Sequence, residues 1–446
     1  MRRNGWLRST VRCLALVLWV AVIGPDRASA QRGATTDDVS SDIESDAAPG
    51  SHLQVFLMTI GPGDLIYERF SHNALVIRDD RDQTEVAYNW GIFNFTDADF
   101  IPRLARGQMR YSMRGFPASA WLEVYQRANR DVWLQPVNLT PGERLELQAI
   151  VREMDTEATR HYRYDYYRDN CSTRVRDVLD RVLGGRIQSA TEGTDTGTTY
   201  RWHTARLLGG SPAGYAGYAG YAGIQFVVGN RGDEPISAWE EMFLPIRLKQ
   251  HLEGIQIVDA EGDRRPLLGE AVHSVEAVRD PIPQEAPDFF FPMLVLGAFL
   301  GALFARLGWA AGNGSRWGRW ALTLSGVAWS AGVGLLGTAL LLSWFFTDHV
   351  FWGLNENAFQ ANPLSLALAG ALVLAELKRN GPGTGAWAWI RAERLGKVVG
   401  GVALLGFCVQ LIPGFDQVNG EVMAVMLPAH LGLAWGTIRA WPPSMA

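Results

Sequence analysis

The sequence changes character near residue 288: the chain before it reads as an ordinary soluble protein, and the chain after it is strongly apolar. Beyond this point we count five apolar segments, at 290–308, 320–346, 364–377, 397–413 and 422–440. Because a helix needs about 20 apolar residues to cross a bilayer, the third segment is short and is compatible with a tilted or re-entrant helix. The sequence thus predicts a soluble domain followed by an α-helical membrane domain of about five spans.

The first 30 residues have the three parts of a secretory signal peptide. Four arginines within the first 12 residues are followed by an apolar run at 14–23 and by Ala28-Ser29-Ala30. A basic start, an apolar stretch of about 7–15 residues and an A-x-A end are typical of a cleavable signal. An uncleaved anchor is the alternative, although the run is short for a span. Either interpretation predicts that the following domain is exported.

The charges in the loops between the apolar segments predict which side of the membrane each loop faces. The loops after the first and third segments carry Lys and Arg, whereas the loops at 347–363 and 414–421 carry acidic residues and neither Lys nor Arg. Loops rich in Lys and Arg stay in the cytoplasm. We therefore expect the two acidic loops to lie on the same side as the exported domain, and the C-terminus to be cytoplasmic.

The exported part divides into a linker and one folded domain. Residues 31–52 include an acidic stretch rich in small residues, which predicts a flexible linker, and the folded domain extends over 53–280. Three prolines mark a second linker at 281–288, and the membrane domain comprises 289–446. The net charge of −5 and the lack of a basic tract argue against nucleic-acid binding. No cluster of side chains has metal-ligand spacing, so we expect no metal and no other cofactor.

The soluble domain reads as an α+β fold. Apolar runs predict strands at 53–58, 74–78, 86–95 and 224–229. Cap and stop signals predict helices beginning at Thr140-Pro141, extending from Cys171 to Gly184-Gly185, and covering 239–252. We interpret residues 185–223, which contain a Gly-Tyr-Ala repeat, as an irregular surface loop enlarged by repeat slippage. A flexible flap is the alternative interpretation of that segment.

Two residues of this domain have the chemistry of a nucleophile and its base. Cys171 has no evident disulfide partner, because Cys13 lies in the signal peptide and Cys408 in an apolar segment. It opens a predicted helix, whose N-terminal end favours an anion and lowers the pKa of a thiol. His72 begins a strand, and an imidazole within reach of a thiol can take up its proton. The order, histidine first and cysteine later, is the reverse of papain and fits a circularly permuted papain-like arrangement.

A catalytic pair of this kind usually has a third polar group that orients the histidine. Asn89, on the next predicted strand, is our candidate, and Asn73 is the alternative. Polar residues are dense around both members of the pair, whereas a structural cysteine more often lies among aliphatic side chains. A buried, inert cysteine is nevertheless the competing interpretation, since cysteine is among the residue types most often buried.

Five short runs around these residues carry a resemblance to a known family. They are RFSHN at 69–73, YNWGIFNF at 88–95, RG at 106–107, DNCSTRVRD at 169–177 and DEPISAWEEMFLP at 233–245. They resemble the motifs of the Lnb N-terminal periplasmic domain family over about 53–252, and the membrane part is similar to that family too. The family usually has a glycine before the histidine, where this chain has Ser71.

The resemblance implies a bacterial inner-membrane enzyme that N-acylates lipoproteins. An acyl chain would move from a phospholipid to Cys171, and then to the α-amine of a lipoprotein's lipidated N-terminal cysteine. His72 would activate Cys171 and later take the proton of the attacking amine. The family's relation to lecithin:retinol acyltransferase-like and NlpC-type enzymes implies a permuted papain-like core. From the residues alone, only an exported thiol acyltransferase or hydrolase on a membrane anchor follows.

Lipid substrates would give further polar residues a role. Arg174 could bind a lipid phosphate or the developing oxyanion, although we prefer a structural ion pair with a nearby acid such as Asp177. The backbone N–H of Cys171 and its neighbours is the preferred oxyanion hole. The outward loop at 349–363 could close over the site from below, or it could be an interfacial aromatic belt with polar caps. Other candidates for substrate or oxyanion contacts are Ser71, Asn73, Asn170, Asn355 and Asn357.

Two other classes of function compete with acyl transfer. The same Cys/His pair could hydrolyse phospholipid or the peptides of the cell wall, but a cell-wall enzyme would not need five spans. A non-catalytic transport or membrane assembly factor is the second alternative. The apolar segments carry no central charges of the kind that transport usually requires, with Glu376 near the end of one.

Overall fold

The soluble part of the protein is built around one seven-stranded sheet. The computed structural model describes residues 48–94, 96–209, 215–258, 264–379 and 384–440. The strands are β1 (Leu53–Ile60), β2 (His72–Asp79), β3 (Thr84–Ile92), β4 (Arg110–Pro117), β5 (Val132–Pro136), β6 (His161–Arg163), β7 (Asp195–Thr199), β8 (Pro235–Ser237), β9 (Gln256–Val258), β10 (Arg264–Pro266) and β11 (Val272–Val275). The large sheet has the order β11-β5-β1-β2-β3-β4-β6 and is antiparallel throughout. The predicted signal peptide and most of the first linker lie outside the described residues.

Helices surround this sheet and form the whole membrane part. Those of the soluble part are α1 (Phe100–Arg106), α2 (Ala118–Arg127), α3 (Pro141–Met154), α4 (Cys171–Val182), α5 (Arg186–Thr191), α6 (Tyr200–Gly209), α7 (Tyr215–Val227), α8 (Ala238–Glu241) and α9 (Pro245–Glu253). Those of the membrane part are α10 (Phe290–Gly312), α11 (Arg316–Phe346), α12 (Leu364–Leu377), α13 (Thr384–Val409) and α14 (Gly420–Arg439). Short 3₁₀ turns at Ile66–Phe70, Asn230–Gly232 and Glu356–Phe359 complete the architecture.

The sheet is buried on both faces, so each of its central strands contributes to two cores. Side chains alternate across a strand, and in β1 Leu57 therefore joins one core while its neighbour Met58 joins the other. Helix α4 packs on the first face through Val175 and Leu179, and α2 covers the second face with Tyr125. The α+β class predicted from the sequence is confirmed, and the permuted papain-like relationship stays a prediction.

The predicted helix starts are confirmed where the sequence carries cap residues. At α3, the Thr140 hydroxyl accepts the N–H of Glu143 at 3.3 Å, and the Glu143 carboxylate accepts the N–H of Thr140 at 2.7 Å. This reciprocal pair satisfies two N–H groups that the helix itself cannot bond, and Pro141 occupies the first position. The predicted strands around 53–58, 74–78 and 86–95 correspond to β1, β2 and β3.

Three predictions downstream of α4 are wrong. The segment at 185–223 is not an irregular loop but contains α5, β7 and α6, and the Gly-Tyr-Ala repeat from Tyr215 onward forms part of α7. Residues 224–229, predicted as a strand, include the end of that helix. The helix predicted at 239–252 is two helices, α8 and α9, because Pro245 cannot continue a helix and instead begins the next one.

Among the residues that the structure describes, four helical segments are long and apolar enough, by length and composition, to cross a bilayer: Phe290–Gly312, Arg316–Phe346, Glu356–Leu377 and Gly420–Arg439. The fifth predicted span, 397–413, begins in α13 and extends past the end of that helix at Val409. Helix α13 is not among these four, and the predicted count of five spans stays a prediction. The short third segment is lengthened by the 3₁₀ turn that precedes α12.

The loop between α11 and α12 is embedded in the soluble part. Phe351 of this loop is buried, and its ring centroid lies 4.7 Å from that of Tyr167 and 5.2 Å from that of Tyr200. Both tyrosines belong to the same hydrophobic cluster as Phe351. Because Tyr167 lies four residues before Cys171, the membrane part supports the segment that leads into α4.

Candidate active site

Cys171 is the first residue of α4, and Asn170 caps this helix. The Asn170 Oδ1 atom accepts the N–H of Ser172 at 2.8 Å and that of Thr173 at 3.0 Å. Its Nδ2 atom donates to two main-chain carbonyls, at 2.9 and 3.0 Å, and the side chain is buried. Both polar atoms of this amide are therefore engaged in holding the start of the helix, which fixes the position of the thiol.

His72 is hydrogen-bonded to Asn89, as expected for a base and its orienting group. Its Nε2 atom lies 3.1 Å from the Asn89 Oδ1 atom, and Ala74, two residues after the histidine, pairs with Asn89 in the sheet. The Asn89 Nδ2 group donates to the Ala87 carbonyl at 3.2 Å, so the amide oxygen faces the imidazole. An amide oxygen only accepts hydrogen bonds, so Nε2 carries the proton and Nδ1 is left as the basic atom.

The thiol lies beside the two strands that carry this pair. A Cβ atom on Gly91 would be 3.5 Å from the Cβ atom of Cys171, and Gly91 is two residues after Asn89. On β2, the backbone N–H of Asn73, the residue after His72, lies near enough to the Cys171 sulfur to favour its anionic form, as do the N–H groups of Cys171 and Ser172. These N–H groups are therefore the candidates for binding an oxyanion.

Both reactive groups are neutral in this structure near pH 7. Burial raises the pKa of the Cys171 thiol to about 11, against weaker opposing effects of the nearby N–H groups. Burial also lowers the pKa of the His72 imidazole to about 4, and the charge of Arg130 lowers it further. The N–H groups at the helix start do favour the thiolate, as expected, but desolvation outweighs them, so the net pKa of the thiol is raised.

Asn73, the alternative orienting residue, contacts Ser172 instead of the histidine. Its Oδ1 atom accepts the Ser172 hydroxyl at 3.0 Å, and its Nδ2 atom donates to the Thr59 hydroxyl at 2.9 Å. All three residues are buried. These bonds join β1, β2 and α4, so the Asn73 side chain holds the helix on the sheet, while its backbone faces the thiol.

The backbone of Ser71 adopts a conformation that favours glycine, the residue that the family resemblance leads us to expect before the histidine. Its φ is 69° and its ψ is −169°, at the end of the 3₁₀ turn that precedes β2. This region of backbone conformation is essentially restricted to glycine, because a Cβ atom is strained there. The residue next to the base is thus held in a strained conformation by the turn.

Arg174 has a structural partner, but a different one from the acid named in the sequence analysis. It forms a bidentate ion pair with Asp169, and its guanidinium lies 4.4 Å from the centroid of the Tyr162 ring. Asp177 instead binds Arg176. These contacts support the structural role that we preferred for Arg174.

Asn355 and Asn357 lie at the junction of the soluble and membrane parts. The side-chain amide of Asn355 donates to the carbonyls of Phe226 and Val227, at 3.0 and 2.8 Å. That of Asn357 donates to the carbonyls of Gln225 and Phe226, at 3.0 and 2.9 Å. The two asparagines therefore cap the C-terminal end of α7, and the structure does not bring them together with Cys171.

Arg130 is a charged residue near the site that the sequence analysis missed. It is buried, its Nε atom donates to the Gly61 carbonyl at 2.9 Å, and its guanidinium lies 3.7 Å from the Glu68 carboxylate. Gly61 follows Ile60, the residue that pairs with His72 across β1 and β2. No local sequence pattern predicts that Arg130 lies near the site, because Gly61 and Glu68 are more than 60 residues away along the chain.

The fold and the site define a class: a membrane-anchored α+β protein with a cysteine–histidine–asparagine site. No group of three or more His, Cys, Asp or Glu side chains that could hold a metal ion occurs in the described part of the chain.

Residues 41–208 match the family model of the Lnb N-terminal periplasmic domain. The resemblance drawn from the motifs is confirmed over these residues of the soluble domain. The domain is therefore periplasmic, and the apolar helices make the protein a membrane protein. Searches of the curated proteins and of the solved structures found no match.

Proposed function

We propose that the protein is a lipoprotein N-acyltransferase of the bacterial inner membrane, with its C-terminus in the cytoplasm. It would transfer an acyl chain from a phospholipid, through a thioester on Cys171, to the α-amine of the lipidated N-terminal cysteine of a lipoprotein. The observation that carries this proposal is the thiol placed against β2 and β3 beside the hydrogen-bonded His72–Asn89 pair. The match to the Lnb N-terminal periplasmic domain points in the same direction, toward lipoprotein biosynthesis.

In the first half-reaction, the Cys171 sulfur attacks the carbonyl carbon of a phospholipid ester. His72 takes the thiol proton on Nδ1 as the carbon–sulfur bond forms, which is why a neutral thiol and a neutral imidazole suffice. The backbone N–H groups of Asn73 and Cys171 bind the resulting oxyanion. The carbon–oxygen ester bond then breaks, and the lysophospholipid leaves with the proton from His72.

In the second half-reaction, the neutral amine of the lipoprotein attacks the thioester carbonyl. His72 takes the proton of the amine, the carbon–nitrogen bond forms, and the carbon–sulfur bond breaks. The proton on His72 then returns to the thiolate, so that the enzyme ends the cycle with both groups neutral. Asn89 keeps Nδ1 available in both steps by holding the Nε2 proton.

Hydrolysis would use the same residues with water in place of the amine. Cys171 is only half-buried, so transfer competes with hydrolysis only if the acceptor itself keeps water away from the thioester. An amine acceptor must therefore be delivered by a partner that displaces solvent, as a lipid-anchored substrate would.

The test is intact-mass analysis of a reporter lipoprotein from cells in which this protein is the only N-acylating enzyme. We expect one added acyl chain with the wild type and with Cys408→Ser, and none with Cys171→Ser or His72→Ala. Cys408 is a matched control because it is an exposed cysteine in the membrane part. Retained acylation in Cys171→Ser would exclude the thioester mechanism.

An unmodified amine with the wild type, in membranes that contain the protein, would favour one of the alternatives. Free fatty acid released in a Cys171-dependent manner would then indicate a cysteine hydrolase. No Cys171-dependent product of either kind would indicate a non-catalytic membrane assembly factor.

A further inference from the structure

Two short segments of the soluble part expose a cluster of large apolar side chains. We call this cluster the apolar rim; its members are between 39% and 68% exposed, and they are Leu65, Ile66 and Tyr67 near the 3₁₀ turn before β2, and Ile101 and Leu104 on α1. Clusters of exposed apolar residues in a folded protein mark contacts with lipid or with another protein.

The two segments are connected by the ring of Phe93. Its centroid lies 5.7 Å from that of Tyr67, on the 3₁₀ turn, and 6.1 Å from that of Phe100, the first residue of α1. The rim is therefore one surface with an aromatic floor, rather than two separate exposed patches.

From this floor a row of stacked rings leads inward. Phe93 stacks on Tyr111 at 4.8 Å, and Tyr111 stacks on Tyr164 at 4.1 Å. Burial raises the pKa of Tyr111 to about 12, and a charge on Cys171 adds to this rise, so the ring lies within electrostatic reach of the sulfur. Gly91, two residues before Phe93, lies beside Cys171. The aromatic row therefore leads from the apolar rim toward the position on β3 that lies beside Cys171.

The rim is tied to the outer end of a membrane-spanning helix. Helix α11 ends at Phe346, and its last aromatic residues are exposed in the way expected at a bilayer interface. Two residues later, the Asp348 N–H donates to the Arg106 carbonyl at 2.8 Å, and the His349 Nε2 atom donates to the Leu104 carbonyl at 2.9 Å. These bonds hold the C-terminal end of α1 next to the point where the span leaves the bilayer.

We propose that the apolar rim enters the outer leaflet and that the aromatic row conducts one acyl chain of a phospholipid to Cys171. We assign the bilayer as the partner of this surface because α1 is held next to the end of the span, and the rim is continuous with it. Ring faces offer a long aliphatic chain apolar contact along its length. Conduction of the acyl chain to Cys171 rests on the proposed acyl transfer, whereas insertion of the rim into the outer leaflet does not.

Insertion of the rim can be measured without enzymatic activity. In the full chain with its native cysteines replaced by serine, Ile101→Cys is labelled with an environment-sensitive fluorophore and the protein is placed in lipid nanodiscs. We expect lipids carrying a nitroxide near the glycerol backbone to quench this label, and to leave a label at Val272→Cys unquenched. Val272 is a suitable control because it is also apolar and exposed, on the edge strand β11.

A label at position 101 that nitroxide lipids do not quench would overturn the proposal. A label protected only at high protein concentration, without lipid quenching, would assign the surface to a second copy of the chain and would overturn it as well.

Conduction of the chain is tested by the rate at which Cys171 becomes acylated. We expect Ile101→Glu/Leu104→Glu to slow acylation by nanodisc phospholipid about tenfold or more, since about 1.4 kcal/mol of lost apolar contact gives that factor. Acylation by a water-soluble p-nitrophenyl acetate should stay within about twofold of wild type, as should both rates in Val272→Glu.

Equal rates with phospholipid in the wild type and the double variant would overturn conduction. Equal losses with both donors would also overturn it, because the variant would then have damaged the site itself. A wild type that no donor acylates would instead refute the proposed function, and the quenching experiment would still decide whether the rim is inserted.

Discussion

Replacing Ser71 with glycine should stabilise the protein. A residue other than glycine held at the φ of 69° and ψ of −169° of Ser71 carries a strain of about 1–3 kcal/mol. Glycine avoids this strain, but it loses about 0.5–1 kcal/mol more conformational free energy on folding. The free energy of unfolding should therefore rise by up to about 2.5 kcal/mol.

The measurement is the thermal unfolding midpoint of the purified full chain in detergent, followed by a signal from the soluble domain. A change of 1 kcal/mol corresponds to about 2–4 °C for a domain of about 150–250 residues. Ser71→Ala is the matched control, because it removes the hydroxyl and keeps the Cβ atom that causes the strain. Equal midpoints for the glycine and alanine variants would refute the argument that backbone strain is stored beside His72.

Three further predictions concern the groups around the site. Asn89→Ala should slow Cys171 acylation about 10–100-fold in single-turnover measurements without unfolding the protein, because the imidazole loses its fixed tautomer. Alkylation of Cys171 by iodoacetamide should keep accelerating from pH 7 to pH 10, because its pKa is about 11; a plateau by about pH 8 would contradict this. Glu241→Gln should destabilise the protein by about 3 kcal/mol at pH 7 in denaturant titrations, because this buried carboxylate binds His203 at 2.8 Å and His251 at 2.6 Å. Burial raises the pKa of Glu241, but its partners outweigh this and hold the pKa below its usual value. The stability that Glu241 provides should therefore be intact above about pH 4 and should be lost as the pH falls below it. A stability difference between wild type and Glu241→Gln that does not change with pH would refute this role.

The candidate site residues Cys171, His72 and Asn89 could be predicted from the sequence because their signals are local. A polar cap followed by Cys171 predicts a thiol at the start of a helix, and Asn170 performs that capping. His72 and Asn89 lie on consecutive strands joined by a short turn, so antiparallel pairing brings them together. Asn73 follows His72 directly on β2, so its side chain faces the other side of the sheet, whereas Asn89 on β3 reaches the imidazole.

Features that depend on distant contacts were not accessible in this way. The Gly-Tyr-Ala repeat has glycines that argue against a helix, yet it forms part of α7, whose last carbonyls are bound by Asn355 and Asn357 from the other end of the chain. Arg130 gains its place near His72 from Gly61 and Glu68. In each case tertiary contacts outweigh the local preference.

The burial of Phe351 means that the protein is not modular in the way its sequence implies. Proline-rich residues 281–288 look like a junction at which the chain could be cut, but the described residues from Ala48 onward form one compact unit. A fragment ending before α10 would lose the ring that packs edge-on against both Tyr167 and Tyr200, and with it the packing behind the segment leading to Cys171. Engineering that exchanges soluble domains between relatives must therefore transplant the α11–α12 loop as well.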